Sequence, residues 1–154
     1  MYKKEKQFIK YRELTTYKYE LAEPYSIQTE IRPNEIIQYP AENPYITLYP
    51  NGMLCISKGY AWDGASGIAV DTSDFMRPSV IHDSGYQFMR KGLIPISFRE
   101  YFDTLLRDTA LEDGMSWIRA HAVYLAVRTF GEKYATPTDE AEQQDIILEA
   151  PKNE

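Results

Sequence analysis

The stretch VIHDSGYQFMRKG, residues 80–92, marks the point where the sequence changes from strand-like to helix-like. Its apolar residues recur at the three- and four-residue spacing of a helix that is buried on one side. Pro78, just before it, suits a first helical turn, and the region of Gly92 suits a helix end. We therefore expect a helix from about residue 77 that carries His82 directly beside Asp83.

Residues upstream of this helix have the composition of β-strands. Nine of the thirteen tyrosines precede residue 61, where they are mixed with Thr and Ile and interrupted by prolines. Two alternating apolar runs flank the turn sequence at residues 50–52, so Ile46 and Leu48 can share a face with Leu54 and Ile56 across a hairpin. This pattern predicts an N-terminal antiparallel β-sheet.

Two further helices are predicted downstream. The second opens with SFRE, residues 97–100, in which Ser97 and Glu100 can form a capping box, and it ends near Asp113. The third is SWIRAHAVYLAVRTFG, residues 116–131, with Gly131 as its C-terminal cap. The expected buried stripes are Phe98, Phe102, Leu105, Leu106 and Thr109 on the second helix, and Trp117, Ala120, Tyr124, Val127 and Phe130 on the third.

The predicted fold class is therefore α+β, an antiparallel sheet followed by three helices in a single domain over residues 1–134. About residues 1–70 are β-rich and residues 77–134 are helical. Residues 135–154 are predicted to be an acidic tail that is flexible or docked on a partner, with one apolar patch at residues 146–148.

Charge and cysteine usage limit the function classes. The formal net charge is −6, and residues 132–154 hold seven acids against two lysines, so the remainder is near neutral. Apart from the N-terminal basic residues there is no electrostatic signature of a nucleic-acid partner, and none is expected. Cys55 is the only cysteine, which favours a reducing compartment, and neither a signal peptide nor a transmembrane segment is predicted. The N-terminal basic residues are Lys3, Lys4, Lys6, Lys10 and Arg12.

His82 is a candidate general base. Adjacent side chains on a helix point about 100° apart, so Asp83 cannot easily orient the His82 ring and is available to bind a cation. Asp103, on the inward side of the second helix, is the candidate orienting carboxylate. The alternatives are that His82 is a packed core residue, that Asp83 only complements its helix N-terminus, and that Asp103 pairs with an arginine of its own helix. Those arginines are Arg99 and Arg107, and a zinc site of His82, Asp83 and His121 is a further alternative.

The motif His82-Asp83-x-Gly85-Tyr86, followed by Asp103 and a helix ending in AVRTFG, resembles the helical core of the small prokaryotic phospholipase A2 proteins over residues 75–131. The resemblance implies that His82 activates water, that Asp103 orients His82, and that Asp83 binds Ca²⁺. It also implies that the loop AWDGASG, residues 61–67, supplies further calcium ligands, with the Asp63 carboxylate and the Gly64 carbonyl as candidates. Phospholipid would then be the substrate.

A second resemblance covers roughly residues 20–131. A β-rich start, a W/F-x-DGAS connector and a His-Asp-x-x-Tyr helix are similar to an uncharacterised family of short proteins from tailed bacteriophages and prophages. The resemblance implies a phage protein. Because no signal peptide is predicted, we expect it in the host cytoplasm or the virion, with phage structural proteins or phospholipid as partners. The matching residues are Trp62, Asp63, Gly64, Ala65, Ser66, His82, Asp83, Tyr86 and Asp103, of which Trp62, Ser66 and Tyr86 are possible supporting residues of the site.

Three functions remain open on the sequence. The first is a calcium-dependent hydrolase of lipid or envelope esters that uses the His82 site. The second is a non-enzymatic structural or assembly protein of the tail, neck or baseplate, in which the same polar residues form a buried hydrogen-bond network. The third is a small inhibitor of a host defence system. The sequence leaves the oligomeric state open.

Overall fold

Seven short strands precede four helices in the part of the chain that the computed structural model describes, residues 7–13, 18–64 and 72–137. This order confirms the α+β class. The strands are β1 (Tyr11–Glu13), β2 (Tyr19–Leu21), β3 (Tyr25–Gln28), β4 (Ile37–Tyr39), β5 (Ile46–Leu48), β6 (Met53–Ile56) and β7 (Ala61–Trp62). The helices are α1 (Ser73–Arg90), α2 (Arg99–Glu112), α3 (Trp117–Phe130) and the short α4 (Glu132–Ala135).

The strands form two antiparallel sheets where the sequence predicted one. One sheet has the order β1-β2-β7 and the other has the order β3-β6-β5-β4. The chain leaves the first sheet after β2 and enters the second at β3, and Pro24 lies between them. Proline has no amide hydrogen for a strand ladder, so it interrupts the pairing at this point.

The predicted hairpin is present. Ile46 pairs with Ile56 and Leu48 pairs with Leu54 across β5 and β6, and all four side chains are fully buried. Gly52 adopts φ +88° in the connecting turn, a conformation that favours glycine.

Helix α1 is the central element. It begins at Ser73, earlier than expected, so Pro78 lies inside the helix instead of in its first turn. Fourteen of its eighteen residues are buried, because α1 packs against sheet residues and against α2. A helix covered on most sides lacks a strong one-sided apolar pattern, which is why its start was hard to place from periodicity.

Buried hydrogen bonds fix α1 against the strands. The Trp62 indole N–H donates to Ser79 Oγ at 2.9 Å, and the Tyr60 hydroxyl donates to Gln87 Oε1 at 2.9 Å. These two bonds lie before and after His82 along α1, so the orientation of that helix is set by the sheets.

A buried guanidinium joins the start of the chain to the end of α2. Arg77 is only 3% exposed and donates to Asp113 Oδ2 and to Glu112 Oε2, each at 2.9 Å. It also donates to the Tyr25 hydroxyl at 2.9 Å and to Gln7 Oε1 at 3.1 Å. The charge is thereby paired and hydrogen-bonded, as a buried charge must be.

The start of α2 differs from the prediction. A 3₁₀ turn at Ile96–Phe98 precedes the helix, Phe98 occupies the N-cap position, and no side chain caps the helix there. Ser97 is inside the 3₁₀ turn, so the predicted capping box with Glu100 is not formed.

Helix α3 has the predicted bounds but a different buried face. Ser116 caps it by accepting a hydrogen bond from the Arg119 amide at 3.2 Å. Its buried residues are Ala120, Val123 and Val127, whereas Trp117 and Phe130 from the predicted stripe are exposed. Helix α3 packs on α2 through one narrow face, which leaves its remaining apolar residues uncovered.

Among the described residues, no helix is both long and apolar enough to cross a membrane. The predicted tail falls outside the described residues from residue 138 onward, and with it the apolar patch at residues 146–148.

Candidate functional site

The structure brings His82 and Asp103 together between α1 and α2. His82 Nε2 lies 2.7 Å from Asp103 Oδ1, and both residues are buried. Burial alone would raise the pKa of Asp103, but the hydrogen bonds from His82, Tyr86 and Arg128 outweigh it and lower that pKa. Asp103 is therefore a carboxylate, and the His82 Nε2–H donates to it.

Gly85 allows this close approach. A Cβ atom at Gly85 would lie 2.5 Å from Cγ of Phe102 and still closer to the edge of the ring. Phe102 can therefore sit directly on α1, which places the next residue, Asp103, within reach of His82. Gly85 belongs to the motif that contains His82, Asp83 and Tyr86, and this packing gives it a structural role.

Tyr86 is the second donor to the carboxylate. Its hydroxyl donates to Asp103 Oδ1 at 2.6 Å, and its ring lies against the His82 imidazole with the two centroids 4.1 Å apart. Burial and the adjacent Asp103 raise the pKa of the Tyr86 hydroxyl, which stays protonated as a donor. Tyr86 thus orders the pair as well as packing beside it.

Two arginines complete the surroundings of Asp103. Arg128 Nη1 donates to Asp103 Oδ2 at 2.9 Å, and Arg99 Nη1 lies 3.6 Å from the same oxygen. Arg99 also donates to the carbonyls of Val127 and Arg128, so it caps the C-terminal end of α3 and fixes the backbone that presents Arg128. The alternative pairing of Asp103 with Arg99 is therefore present alongside the His82 bond.

Arg107, the other arginine considered for Asp103, pairs with Asp108 instead. The contact of Arg128 with Asp103 was not predicted from the sequence, because Arg128 lies on a third helix. Its position in the AVRTFG segment was the only sequence signal for this role.

The other ring nitrogen of His82 faces Asp83. Nδ1 lies 3.9 Å from Asp83 Oδ1, too long for a direct hydrogen bond but close enough for electrostatic attraction. Burial opposes the charged ring, yet the hydrogen bond to Asp103 and the influence of Asp83 together raise the pKa of His82 above its usual value. Asp83 is the more exposed of the two side chains, at 35% against 10% for His82.

Asp63 lies near enough to influence Asp83. Desolvation of the Asp83 carboxyl raises its pKa, the attraction of His82 and of Arg90 opposes this rise, and the negative charge of Asp63 adds to it. Asp63 is exposed, and its Oδ1 accepts the Lys18 amide at 3.3 Å. The charge of Asp63 therefore acts on Asp83, and the sharing of a cation by the two carboxylates stays a prediction.

The rest of the connector is only partly described. Trp62 is buried and anchors the strand end through Ser79, and Gly64 follows Asp63 at φ +67°. Ser66, the remaining supporting residue, and Ala65 lie outside the described residues.

No protein-family model, curated protein or solved structure matches this chain.

Metal ligands are sparse in the described ranges. Within residues 7–13, 18–64 and 72–137, no group of three or more His, Cys, Asp or Glu side chains could hold a metal ion. His121 lies on α3, where its Nδ1 contacts the Trp117 carbonyl at 2.9 Å and its ring stacks on Trp117. The zinc set of His82, Asp83 and His121 is therefore not assembled.

Proposed function

We propose that this protein is a hydrolase in which the His82–Asp103 pair activates water to cleave an ester of a phospholipid or another envelope component. The observation that carries the proposal is the 2.7 Å bond between His82 Nε2 and Asp103 Oδ1, which leaves Nδ1 on the more exposed side, toward Asp83. A base fixed in one tautomer by a carboxylate, with its other nitrogen left to accept a proton, is an arrangement suited to general-base catalysis.

In the proposed reaction, Asp103 keeps the neutral His82 ring protonated at Nε2. Nδ1 accepts a proton from a water molecule as the water oxygen bonds to the ester carbonyl carbon. The imidazolium that forms is stabilised by Asp103 and by Asp83. When the bond between the carbonyl carbon and the alkoxy oxygen breaks, Nδ1 returns the proton to the departing alcohol, and the ring is neutral again.

Tyr86 and Arg128 support this chemistry by holding Asp103. Each donates to a different carboxylate oxygen, Tyr86 to Oδ1 and Arg128 to Oδ2. Because both oxygens are held, the carboxylate plane is fixed relative to the His82 ring, which preserves the direction of Nδ1.

Calcium is part of the proposal, with Asp83, Asp63 and the Gly64 carbonyl as its ligands. The support is electrostatic: the negative charge of Asp63 acts unfavourably on the Asp83 carboxylate, and a bound cation would relieve this repulsion. Bound there, Ca²⁺ would supply positive charge to stabilise the developing oxyanion. Calcium takes about six to eight oxygen ligands, so these three groups are a partial set. Isothermal titration with CaCl₂ tests the assignment, since Asp83→Asn and Asp63→Asn should each weaken binding.

The test of the hydrolase is release of fatty acid from mixed phospholipid vesicles, with and without Ca²⁺. His82→Gln should reduce the rate by roughly 10²- to 10⁴-fold, the usual contribution of a general base. His121→Gln is the matched control, because it changes the only other histidine, far along the sequence on α3, and should leave the rate unchanged. Equal activity in the His82 variant, or no hydrolysis by the folded wild-type protein with any divalent cation, would contradict the proposal.

A second candidate is a non-enzymatic assembly protein of a tailed phage, in line with the resemblance of the connector and the His-Asp helix to phage proteins. Its support is that Asp103 has donors on both oxygens from three side chains, which is how a buried structural network is satisfied. The two candidates differ in what His82→Gln changes. A purely structural network predicts a loss of stability without any catalytic activity in the wild-type protein.

A further inference from the structure

Helix α3 carries an exposed apolar face made of Trp117, Ile118 and Leu125. These residues are 66%, 77% and 62% exposed, respectively. They lie on one side of the helix, with His121 stacked on Trp117 between them, whereas the exposed Phe130 lies on another side at the C-terminal end. Several large apolar side chains exposed on one side of a helix indicate a surface that binds another segment or molecule.

The C-terminal segment has the chemistry to cover this face. Residues 138–154, outside the described part of the chain, contain the apolar run Ile146-Ile147-Leu148 between Asp145 and Glu149. The segment holds six acids and one lysine, a formal charge of −5, whereas α3 contains two arginines and no acidic residue. Both arginines already pair with carboxylates, so apolar contact would hold the segment and charge would mainly guide it.

The described chain also ends close to the C-terminal end of α3. Helix α4 follows α3 directly and packs against it, and the described residues end at Pro137. The eight residues between Pro137 and Ile146 can span about 30 Å when extended. Helix α3, with fourteen residues, is about 21 Å long, so the extended linker is longer than the helix.

We propose that the segment centred on Ile146-Ile147-Leu148 packs on the α3 apolar face of the same chain. Attachment through a short linker gives the segment a high effective concentration at this face, which a second copy or a separate protein lacks. An anionic lipid surface is disfavoured, because the charge of −5 borne by residues 138–154 would be held beside it.

Acrylamide quenching of tryptophan fluorescence in the full chain tests the proposal. Trp62 is 2% exposed and will be quenched little, so the measurement reports on Trp117. The variant Ile146→Ser/Ile147→Ser/Leu148→Ser should show a loss of Trp117 protection relative to wild type. The matched control Gln143→Ser/Gln144→Ser, in the same segment, should keep it.

Photo-crosslinking supplies a second measurement, which detects the contact between the segment and α3 directly instead of through its loss in a variant. Benzoylphenylalanine in place of Ile147 should crosslink to residues 117–130 within a monomer, as identified by mass spectrometry. Equal quenching in the wild-type protein and the triple-serine variant would overturn the proposal. So would crosslinks found only in dimers, which would assign the face to a second copy, or Trp117 protection that appears only when phospholipid vesicles are added.

Discussion

His82 is held by two carboxylates in different ways. Asp103 accepts a direct hydrogen bond at Nε2, whereas Asp83 acts on Nδ1 across 3.9 Å. Asp103 is itself held by Tyr86 and Arg128, so its position is fixed independently of the histidine. The pKa of His82 is therefore a direct report on whether this arrangement forms in solution.

We predict that the pKa of His82 lies above 6.5, its ordinary value, because Asp103 and Asp83 stabilise the imidazolium more than burial destabilises it. NMR titration of the histidine Cε1 protons measures it directly, and His121→Gln assigns the two signals. Asp103→Asn should lower the pKa of His82. A wild-type His82 that titrates at or below 6.5 would contradict the arrangement.

The sign of the pH dependence follows from these shifts. A histidine with a raised pKa stabilises the folded state fully at pH below its unfolded pKa, and this contribution is lost as the pH rises through the folded pKa. Asp103 has a lowered pKa, so it stabilises the folded state at pH values above its unfolded pKa. This contribution is lost as the pH falls through its folded pKa. A hydrolase that uses His82 as a base should gain activity as the pH rises through the His82 pKa.

At the scale of elements, the contact between α1 and α2 depends on the absence of a side chain at Gly85. Gly85→Ala should destabilise the protein by about 1–3 kcal/mol, because the added methyl group would overlap the Phe102 ring. Urea unfolding measures the change. The double variant Gly85→Ala/Phe102→Leu should be more stable than the two single changes predict by addition, because the smaller side chain makes room for the methyl group.

Capping of the helices gives a second prediction at this scale. Ser116→Ala should cost about 1 kcal/mol, because it removes the acceptor for the Arg119 amide at the start of α3. Ser97→Ala is the matched control and should change stability by less than about 0.5 kcal/mol, because Ser97 caps no helix. A comparable loss in both variants, measured by urea unfolding, would mean that Ser97 does cap α2.

The sequence predicted some elements better than others, for physical reasons. The β5–β6 hairpin and the bounds of α3 followed from local signals, an alternating pattern around a turn and a serine cap. The start of α1 and the buried face of α3 did not, because they depend on which neighbours cover each helix. The pairing of His82 with Asp103 was predictable from their helices, whereas Arg128 required knowing how α3 packs on α2.

On the scale of the whole molecule, the sheets and helices share their interior. One apolar cluster joins strand residues to α1 and to Phe102 of α2, and a second joins α1, α2 and α3 through Leu106 and Ala110. Helix α2 thus belongs to both clusters, so the described part of the chain has no division between a sheet unit and a helix unit.

We therefore predict a single unfolding transition. Far-ultraviolet circular dichroism, which is dominated by the helices, and, in a Trp117→Phe variant, the fluorescence of buried Trp62 at the junction of β7 and α1 should give the same urea midpoint and slope. Separate midpoints would show that the helical part retains structure after the sheets are lost.

The buried Arg77 also affects how early during synthesis the N-terminal half can fold. Its hydrogen-bond partners come from residues 7, 25, 112 and 113. A ribosome that has exposed only the strands and α1 has therefore released a guanidinium whose acidic partners are still being made. The N-terminal half therefore cannot complete its native packing until the end of α2 has been synthesised. Truncated chains that stop before Glu112 should fold poorly and should be degraded readily by cellular proteases.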